Sequence, residues 1–150
     1  MLSARMITIS ICVSCGSNWA ADSFVGSWKL NAAKSHLTGA REPLAMVIDI
    51  ARQEGAVGWD EEGLDSSGKT HKVGYGFNAV QDSVELPDGH TLLLRRINDD
   101  SIACTRKHNG KIIGTEQRVI SKDGTRLMIV VSGTKETGEE FYVIAVYDRQ

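Results

Sequence analysis

The sequence predicts an antiparallel all-β fold, and three features of the chain carry that prediction. Segments with alternating apolar residues or β-branched enrichment are typical of strands that have one buried face. No segment after Asp22 has an apolar stripe with a helical period. Dipeptides that suit tight turns separate the strand-like segments, at Ser67-Gly68, Asp88-Gly89, Asn109-Gly110, Asp123-Gly124 and Thr137-Gly138.

Taken in order, the segments between the turns give ten short strands. In the second, Met46, Ile48 and Ile50 alternate with Val47, Asp49 and Ala51. Residues 31–37 contain good helix formers, but too few to form a stable helix alone. The predicted strands are 27–31, 45–52, 56–61, 69–77, 81–86, 91–97, 101–107, 111–121, 126–134 and 140–148.

Consecutive antiparallel strands without covering helices must hide their edges in a barrel or a sandwich. We predict a single up-and-down β-barrel of about 8–10 strands over residues 22–150. The chain has 150 residues, is 41% hydrophobic and 24% charged, and carries a formal charge of −2. This composition argues against a nucleic-acid-binding protein, which would have a basic surface, and against a disordered protein.

Residues 1–21 have the three parts of a secretory signal peptide. Arg5 is followed by the uncharged stretch 6–14 and then by small residues. That stretch is too short to span a bilayer, so we predict cleavage between Ser17 and Asp22 and export to the periplasm or outside the cell, with no transmembrane segment. A lipid anchor at Cys15 is the alternative, since residues 13–15 resemble the end of a lipobox.

Removal of the signal segment leaves Cys104 as the one thiol of the predicted domain. A single thiol cannot form an intramolecular disulfide. The stability of the domain must therefore come from its hydrophobic core, which a chain of this length can build.

The segment 23–30 (SFVGSWKL) opens the first predicted strand. Its Gly26 and Trp28 resemble the Gly-x-Trp that opens the calycins, the superfamily of lipocalins and fatty-acid-binding proteins. In such a barrel the glycine permits a tight approach of the chain and the tryptophan plugs the closed end. The resemblance implies a lipocalin-like barrel with Gly26 and Trp28 as its structural plug.

A second resemblance lies near the end of the chain. Arg118 and the Asp123-Gly124 turn are similar to the arginine-bearing strand and hairpin of fatty-acid-binding proteins, in which the arginine meets a lipid carboxylate. Tyr147 matches the tyrosine of that family's last strand, but Ala145 replaces its second arginine. The segment between Leu30 and Ala45 has no room for the family's helix-turn-helix lid. The chain therefore more closely resembles exported bacterial lipocalin-like domains, and this resemblance covers residues 23–150.

A ligand in such a barrel would contact the inward residues of its strands. Arg118 has two possible orientations: with Glu116 and Ile120 it would be a buried cation, and otherwise it faces solvent. We expect the solvent-facing orientation, because buried arginine is rare without a partner. The candidate ligand-binding residues are Met46, Ile48, Tyr75, Phe77, Leu92, Leu94, Ile102, Cys104, Met128, Val130, Tyr142 and Ile144, with Arg118 and Tyr147 as the polar pair.

Catalytic and metal-binding patterns are weak. Cys104 would need a nearby base to act as a nucleophile, and Asp60-Glu61-Glu62 are expected to be solvated charges. No phosphate-binding or dinucleotide-binding motif is present, and we predict no cofactor. The four histidines lack metal-ligand spacing: His36, His71, His90 and His108.

The function expected from these observations is non-covalent binding of a small apolar or amphipathic molecule, without catalysis. This expectation requires a cavity of roughly 300 Å³ or more. One alternative is a structural or interaction module whose barrel is filled by its own side chains. The other is a small barrel enzyme of isomerase or hydrolase type.

Overall fold

The computed structural model describes residues 22–40, 44–78 and 80–150. The predicted signal segment 1–21, with Cys15, lies outside the described residues. Signal cleavage, lipidation and export therefore stay predictions. Within the described ranges, no helix is both long and apolar enough to cross a membrane.

Ten strands form in the described chain, and each corresponds to a predicted strand. The candidate helical segment contributes a single 3-10 turn, Ala32–Lys34, whose first turn is capped by the side chain of Asn31. The strands are β1 (Gly26–Leu30), β2 (Leu44–Gln53), β3 (Ala56–Leu64), β4 (Thr70–Asn78), β5 (Gln81–Glu85), β6 (His90–Asn98), β7 (Ser101–His108), β8 (Lys111–Ile120), β9 (Arg126–Thr134) and β10 (Glu140–Arg149).

The strands form one antiparallel sheet in the order β4-β3-β2-β1-β10-β9-β8-β7-β6-β5. The sheet curls into a nearly closed barrel because the first strand pairs with the last, with Leu30 opposite Tyr147. Over the described residues no hydrogen-bonded ladder joins β4 to β5, which are the two edges of the sheet. The predicted up-and-down β-barrel is confirmed.

Trp28, which is predicted to plug the barrel, is fully buried in the core. Its indole Nε1 donates a hydrogen bond to the carbonyl oxygen of Phe24 at 2.9 Å. The guanidinium of Arg149 lies over the indole ring, 4.1 Å from its centroid. A side chain at position 26 would collide with Arg149, and Gly26 has a φ of +148° that favours glycine.

On β9 and β10, four residues that were predicted to line the barrel point outward instead. The residues that face inward on these two strands are shifted by one position from the prediction. Leu127, Ile129 and Val131 pack in or against the core from β9, and Val143, Ala145 and Tyr147 are buried on β10. Alternation then turns their neighbours outward. Met128 is 38% exposed and Tyr142 is 52% exposed, while Val130 and Ile144 are partly buried outside the core cluster.

Met46 is the fifth incorrect prediction. The register of β2 against β3 shifts between Ala45 and Val47, so Met46 forms a bulge. The bulge turns Met46 outward, where it is 41% exposed, and leaves Ile48 and Ile50 buried in the core. The alternation predicted for this strand therefore holds only after the bulge.

Candidate functional site

Arg118 lies inside the barrel, with a relative exposure of 1%. The predicted solvent-facing orientation is therefore wrong. On β8, Glu116, Arg118 and Ile120 are all buried, and the Nε of Arg118 donates to the carboxylate of Glu116. A partner two residues away on the same strand face satisfies the condition that makes a buried arginine tolerable.

Arg118 reaches the opposite wall of the barrel, where aromatic side chains of β3 and β4 receive it. The guanidinium carbon lies 4.1 Å from the ring centroid of Trp59 and 5.8 Å from that of Tyr75. Trp59 and Tyr75 are directly opposite in the β3–β4 ladder, and their rings stack at 6.4 Å. A desolvated cation over an indole face is stabilised by about 2 kcal/mol.

Glu61 adds a second carboxylate to this cluster. It follows Trp59 on the same face of β3, and the indole Nε1 of Trp59 donates to its Oε1 at 2.8 Å. Burial raises the pKa of Glu61, although the nearby Arg118 charge and the Trp59 hydrogen bond oppose that increase. The carboxyl group of Glu61 is therefore easier to protonate than an exposed glutamate.

Two polar atoms of this cluster are buried without a hydrogen-bond partner among the described residues. They are Nη1 of Arg118 and the hydroxyl oxygen of Tyr75. The Arg118 side chain lies close enough to lower the pKa of the Tyr75 phenol through its charge and through a hydrogen-bonding contact outside normal geometry, but burial still raises that pKa well above its usual value. The Tyr75 hydroxyl is therefore neutral. By contrast, the Tyr147 hydroxyl donates to the carbonyl oxygen of Ala45 at 2.9 Å.

These groups line an internal cavity of about 190 Å³. This volume is below the roughly 300 Å³ that we expected for a ligand site and above the ~150 Å³ that holds benzene in an engineered core. The polar part of the lining comes from several strands and consists of Glu61, Tyr75, Asp88, Arg106, Glu116 and Arg118. The rest is mostly apolar and includes Ile48, Val73, Leu86, Ile129, Val131, Val143 and Ala145.

Solved structures of other proteins have a fold similar to that of this chain. A Schistosoma mansoni fatty acid binding protein in complex with arachidonic acid matches with a TM-score of 0.59 and 14% identity, over 85% of this chain and 96% of that one. The fold is that of the fatty-acid-binding proteins. A zebrafish ileal bile acid-binding protein complexed with cholic acid matches with a TM-score of 0.55 and 12% identity, over 85% and 99%. No protein-family model and no curated protein sequence matches the chain.

The structure brings four of the predicted ligand-binding residues to the cavity of this fatty-acid-binding-protein fold: Ile48, Tyr75, Arg118 and Tyr147. A second group is buried in the core instead, away from the cavity wall: Phe77, Leu92, Leu94, Ile102 and Cys104. The remaining five face outward, as described above.

The prediction missed Glu61 as a site residue, and its expected role as a solvated charge is wrong. The signal was present in the strand pattern, because Val57, Trp59 and Glu61 share one face of β3. Two aromatic or apolar residues in that phase place Glu61 inside. Glu116 entered the prediction only as a neighbour of Arg118, although it is the ion-pair partner.

An outer groove of about 540 Å³ is lined by the start of β8, the end of β9 and the start of β10. The groove shares Ile113, Gly114, Thr115 and Phe141 with the internal cavity, so the two spaces adjoin. Gly114 pairs with Gly133 in the ladder there. The internal cavity is the better candidate site, because it holds the buried charged groups.

The remaining reactive groups give no support for a metal site or a thiol nucleophile. In the described part of the chain, no group of three or more His, Cys, Asp or Glu side chains could hold a metal ion. Burial, together with the Glu116 charge, raises the pKa of the Cys104 thiol to about 11. The thiolate needed for nucleophilic attack is therefore disfavoured at neutral pH.

Proposed function

We propose that the barrel binds a small amphipathic molecule non-covalently in its internal cavity. The observation that carries this proposal is the pair of buried polar atoms without partners, Arg118 Nη1 and the Tyr75 hydroxyl, at a cavity with an apolar wall. Burying such atoms without hydrogen bonds is unfavourable. A ligand that meets them with its polar group and packs its apolar part against Ile48 and Ala145 removes that penalty.

The cavity volume limits the size of the ligand. About 190 Å³ suits one ring with a single polar substituent, judged against the benzene-binding cavity of ~150 Å³. Burying about 150 Å² of apolar surface contributes roughly 4 kcal/mol before the losses on association. A free energy of about 4 kcal/mol corresponds to a dissociation constant of about 1 mM, so we expect dissociation constants of about 1 mM or weaker for ligands of this size.

The two similar solved structures support a ligand inside this fold, since both are complexes with an amphipathic acid. Arachidonic acid and cholic acid are larger than a benzene-sized molecule. They therefore support an amphipathic ligand, while the place of binding and the size of the ligand are taken from the cavity itself. Non-covalent binding is favoured over thiol catalysis by the raised pKa of Cys104.

The test is calorimetric titration of the full chain with benzyl alcohol, alongside native mass spectrometry for co-purified small molecules. Ala145 lines the cavity, so A145L should fill it and reduce the affinity at least about tenfold. The matched control is A103L. Ala103 stands between the inward residues Ile102 and Cys104 in the sequence of β7, so its side chain points away from the cavity.

Binding by the natural sequence and by A103L, with loss in A145L, would support the proposal. Equal binding by all three proteins would place the ligand elsewhere. If neither benzyl alcohol nor any co-purified molecule binds, the proposal is wrong and the interaction-module alternative is favoured.

A further inference from the structure

We infer that the polar group of the ligand is uncharged and contains a hydrogen-bond acceptor, as in an alcohol or a carbonyl compound, and is not a carboxylate. This inference rests on the proposed function, because it specifies the chemistry of the same cavity. It comes from the charges and the hydrogen-bonding capacity of the cavity wall.

The charges of the cavity wall disfavour an additional anion. Three carboxylates (Glu61, Asp88 and Glu116) and two guanidiniums (Arg106 and Arg118) line the cavity. The Nε of Arg118 is already paired with Glu116, and Glu61 lies within electrostatic reach of the same guanidinium. A ligand carboxylate at Arg118 would therefore be a third negative charge around one cation, in a medium where repulsion is weakly screened.

The free hydrogen-bonding positions disfavour a ligand cation as well. Arg118 Nη1 is a donor that has no acceptor capacity, so the ligand atom that meets it must accept a hydrogen bond. An ammonium group has no lone pair and cannot do so. The neutral Tyr75 hydroxyl can donate or accept, and the carboxylates can accept. An alcohol oxygen satisfies both unpartnered atoms and offers a proton to a carboxylate.

The position of Arg118 is fixed by its surroundings, so the guanidinium cannot easily turn to present more donors. Glu116 holds its Nε on one side, and the Trp59 ring covers the guanidinium face at 4.1 Å. One nitrogen, Nη1, is left without a partner in the described structure. Because Glu116 already accepts from Nε, a ligand carboxylate cannot form the two parallel hydrogen bonds that use Nε and a neighbouring guanidinium nitrogen.

The test compares three probes that share one ring: benzyl alcohol, benzoate and benzylamine, titrated into the full chain by calorimetry at pH 7 and one ionic strength. We expect benzyl alcohol to bind at least about tenfold more tightly than either charged probe. Benzoate or benzylamine binding as tightly as the alcohol would overturn the inference and leave the proposed function intact. Failure of all three to bind would overturn both.

A charge-removing variant provides a second measurement. E61Q keeps the shape of the side chain and removes one cavity carboxylate, so the affinity for benzoate relative to benzyl alcohol should rise about fivefold or more. The matched control is E62Q, because Glu62 is exposed and pairs with Lys72 at 3.3 Å. An equal change in both variants, or no change in E61Q, would contradict the inference.

Discussion

Two arginines of this barrel lie over tryptophan rings at the same distance, but their guanidinium groups differ in their hydrogen-bond partners. Arg149 lies 4.1 Å from the ring centroid of Trp28, and Arg118 lies 4.1 Å from that of Trp59 in the interior. In both pairs the indole N–H donates a hydrogen bond, from Trp28 to a backbone carbonyl and from Trp59 to the Glu61 carboxylate.

The difference lies in the remaining hydrogen bonds of each guanidinium. All three nitrogens of Arg149 donate to backbone carbonyl oxygens, those of Ser23, Val25 and Gly124, at 2.7–2.8 Å. Arg118 meets a charged side chain through Nε, and its Nη1 has no partner among the described residues. One contact ties backbone segments together, and the other presents a donor to a cavity. Both arginines contact a tryptophan ring, so that contact does not separate them. They differ in whether each guanidinium nitrogen has a hydrogen-bond acceptor, which makes Arg149 structural and Arg118 part of the candidate site.

The largest expected effect is on the buried ion pair. E116M leaves the Arg118 charge buried without its main partner, which should lower the free energy of unfolding by about 3 kcal/mol or more. The double variant E116M/R118M removes both charges and should recover most of that loss. Urea unfolding measures both free energies. A double variant no more stable than E116M would show that the pair is not the source of the loss.

A smaller effect on stability is expected from R149M, which is compared with R118M for its effect on binding. R149M loses hydrogen bonds to three carbonyls and should lower the free energy of unfolding by about 1–2 kcal/mol, while benzyl alcohol affinity stays within about twofold. R118M should lose measurable binding. Equal loss of affinity in the two variants, measured by calorimetry, would remove the distinction between the arginines.

The smallest effect is a pH dependence from Glu61, because the Arg118 charge and the Trp59 hydrogen bond offset part of its desolvation. Its pKa is raised on folding, so the folded state holds the proton more tightly than the unfolded chain does. The stability it contributes is complete below the unfolded value of 4.5 and is lost as the pH rises through the folded pKa. E61Q should remove this decline.

Unfolding free energies of the natural sequence and of E61Q between pH 4.5 and pH 8 test this expectation. The titration of exposed aspartates such as Asp123 occurs below this pH range and does not affect the comparison. Hydrogen bonds from Ser121 and Thr125 lower the pKa of Asp123 to about 2, so its contribution is present above 3.8 and is lost at lower pH. The same slope in both proteins above pH 4.5 would contradict the role of Glu61.

The sequence predicted the strands well because their signals are local. Turn dipeptides and alternation depend on neighbouring residues, and all ten strands formed where they were expected. The inward faces of β9 and β10 were not predictable in the same way. Outward Met128, Val130 and Ile144 are as apolar as the inward residues beside them, so alternation gave no direction. The bulge at Met46 likewise depends on the pairing of two strands.

The candidate site was predicted only in part, because its key contacts cross the barrel. Tyr75, Tyr147 and Ile48 follow from strand phase alone. The orientation of Arg118 depends on Glu116 beside it and on Trp59 of β3, a strand distant in the sheet order. Side-chain contacts between distant strands cannot be predicted from the local sequence of either strand.

The pairing of β1 with β10 gives the chain the connectivity of a ring. The backbone N–H of Gln150 donates to the carbonyl oxygen of Ser27 at 2.9 Å, so the start and end of the barrel lie side by side. In the described part of the chain, the sheet is continuous through this junction and is interrupted between β4 and β5. The seam of the barrel therefore lies in the middle of the sequence, and the wall can part there without breaking a strand ladder.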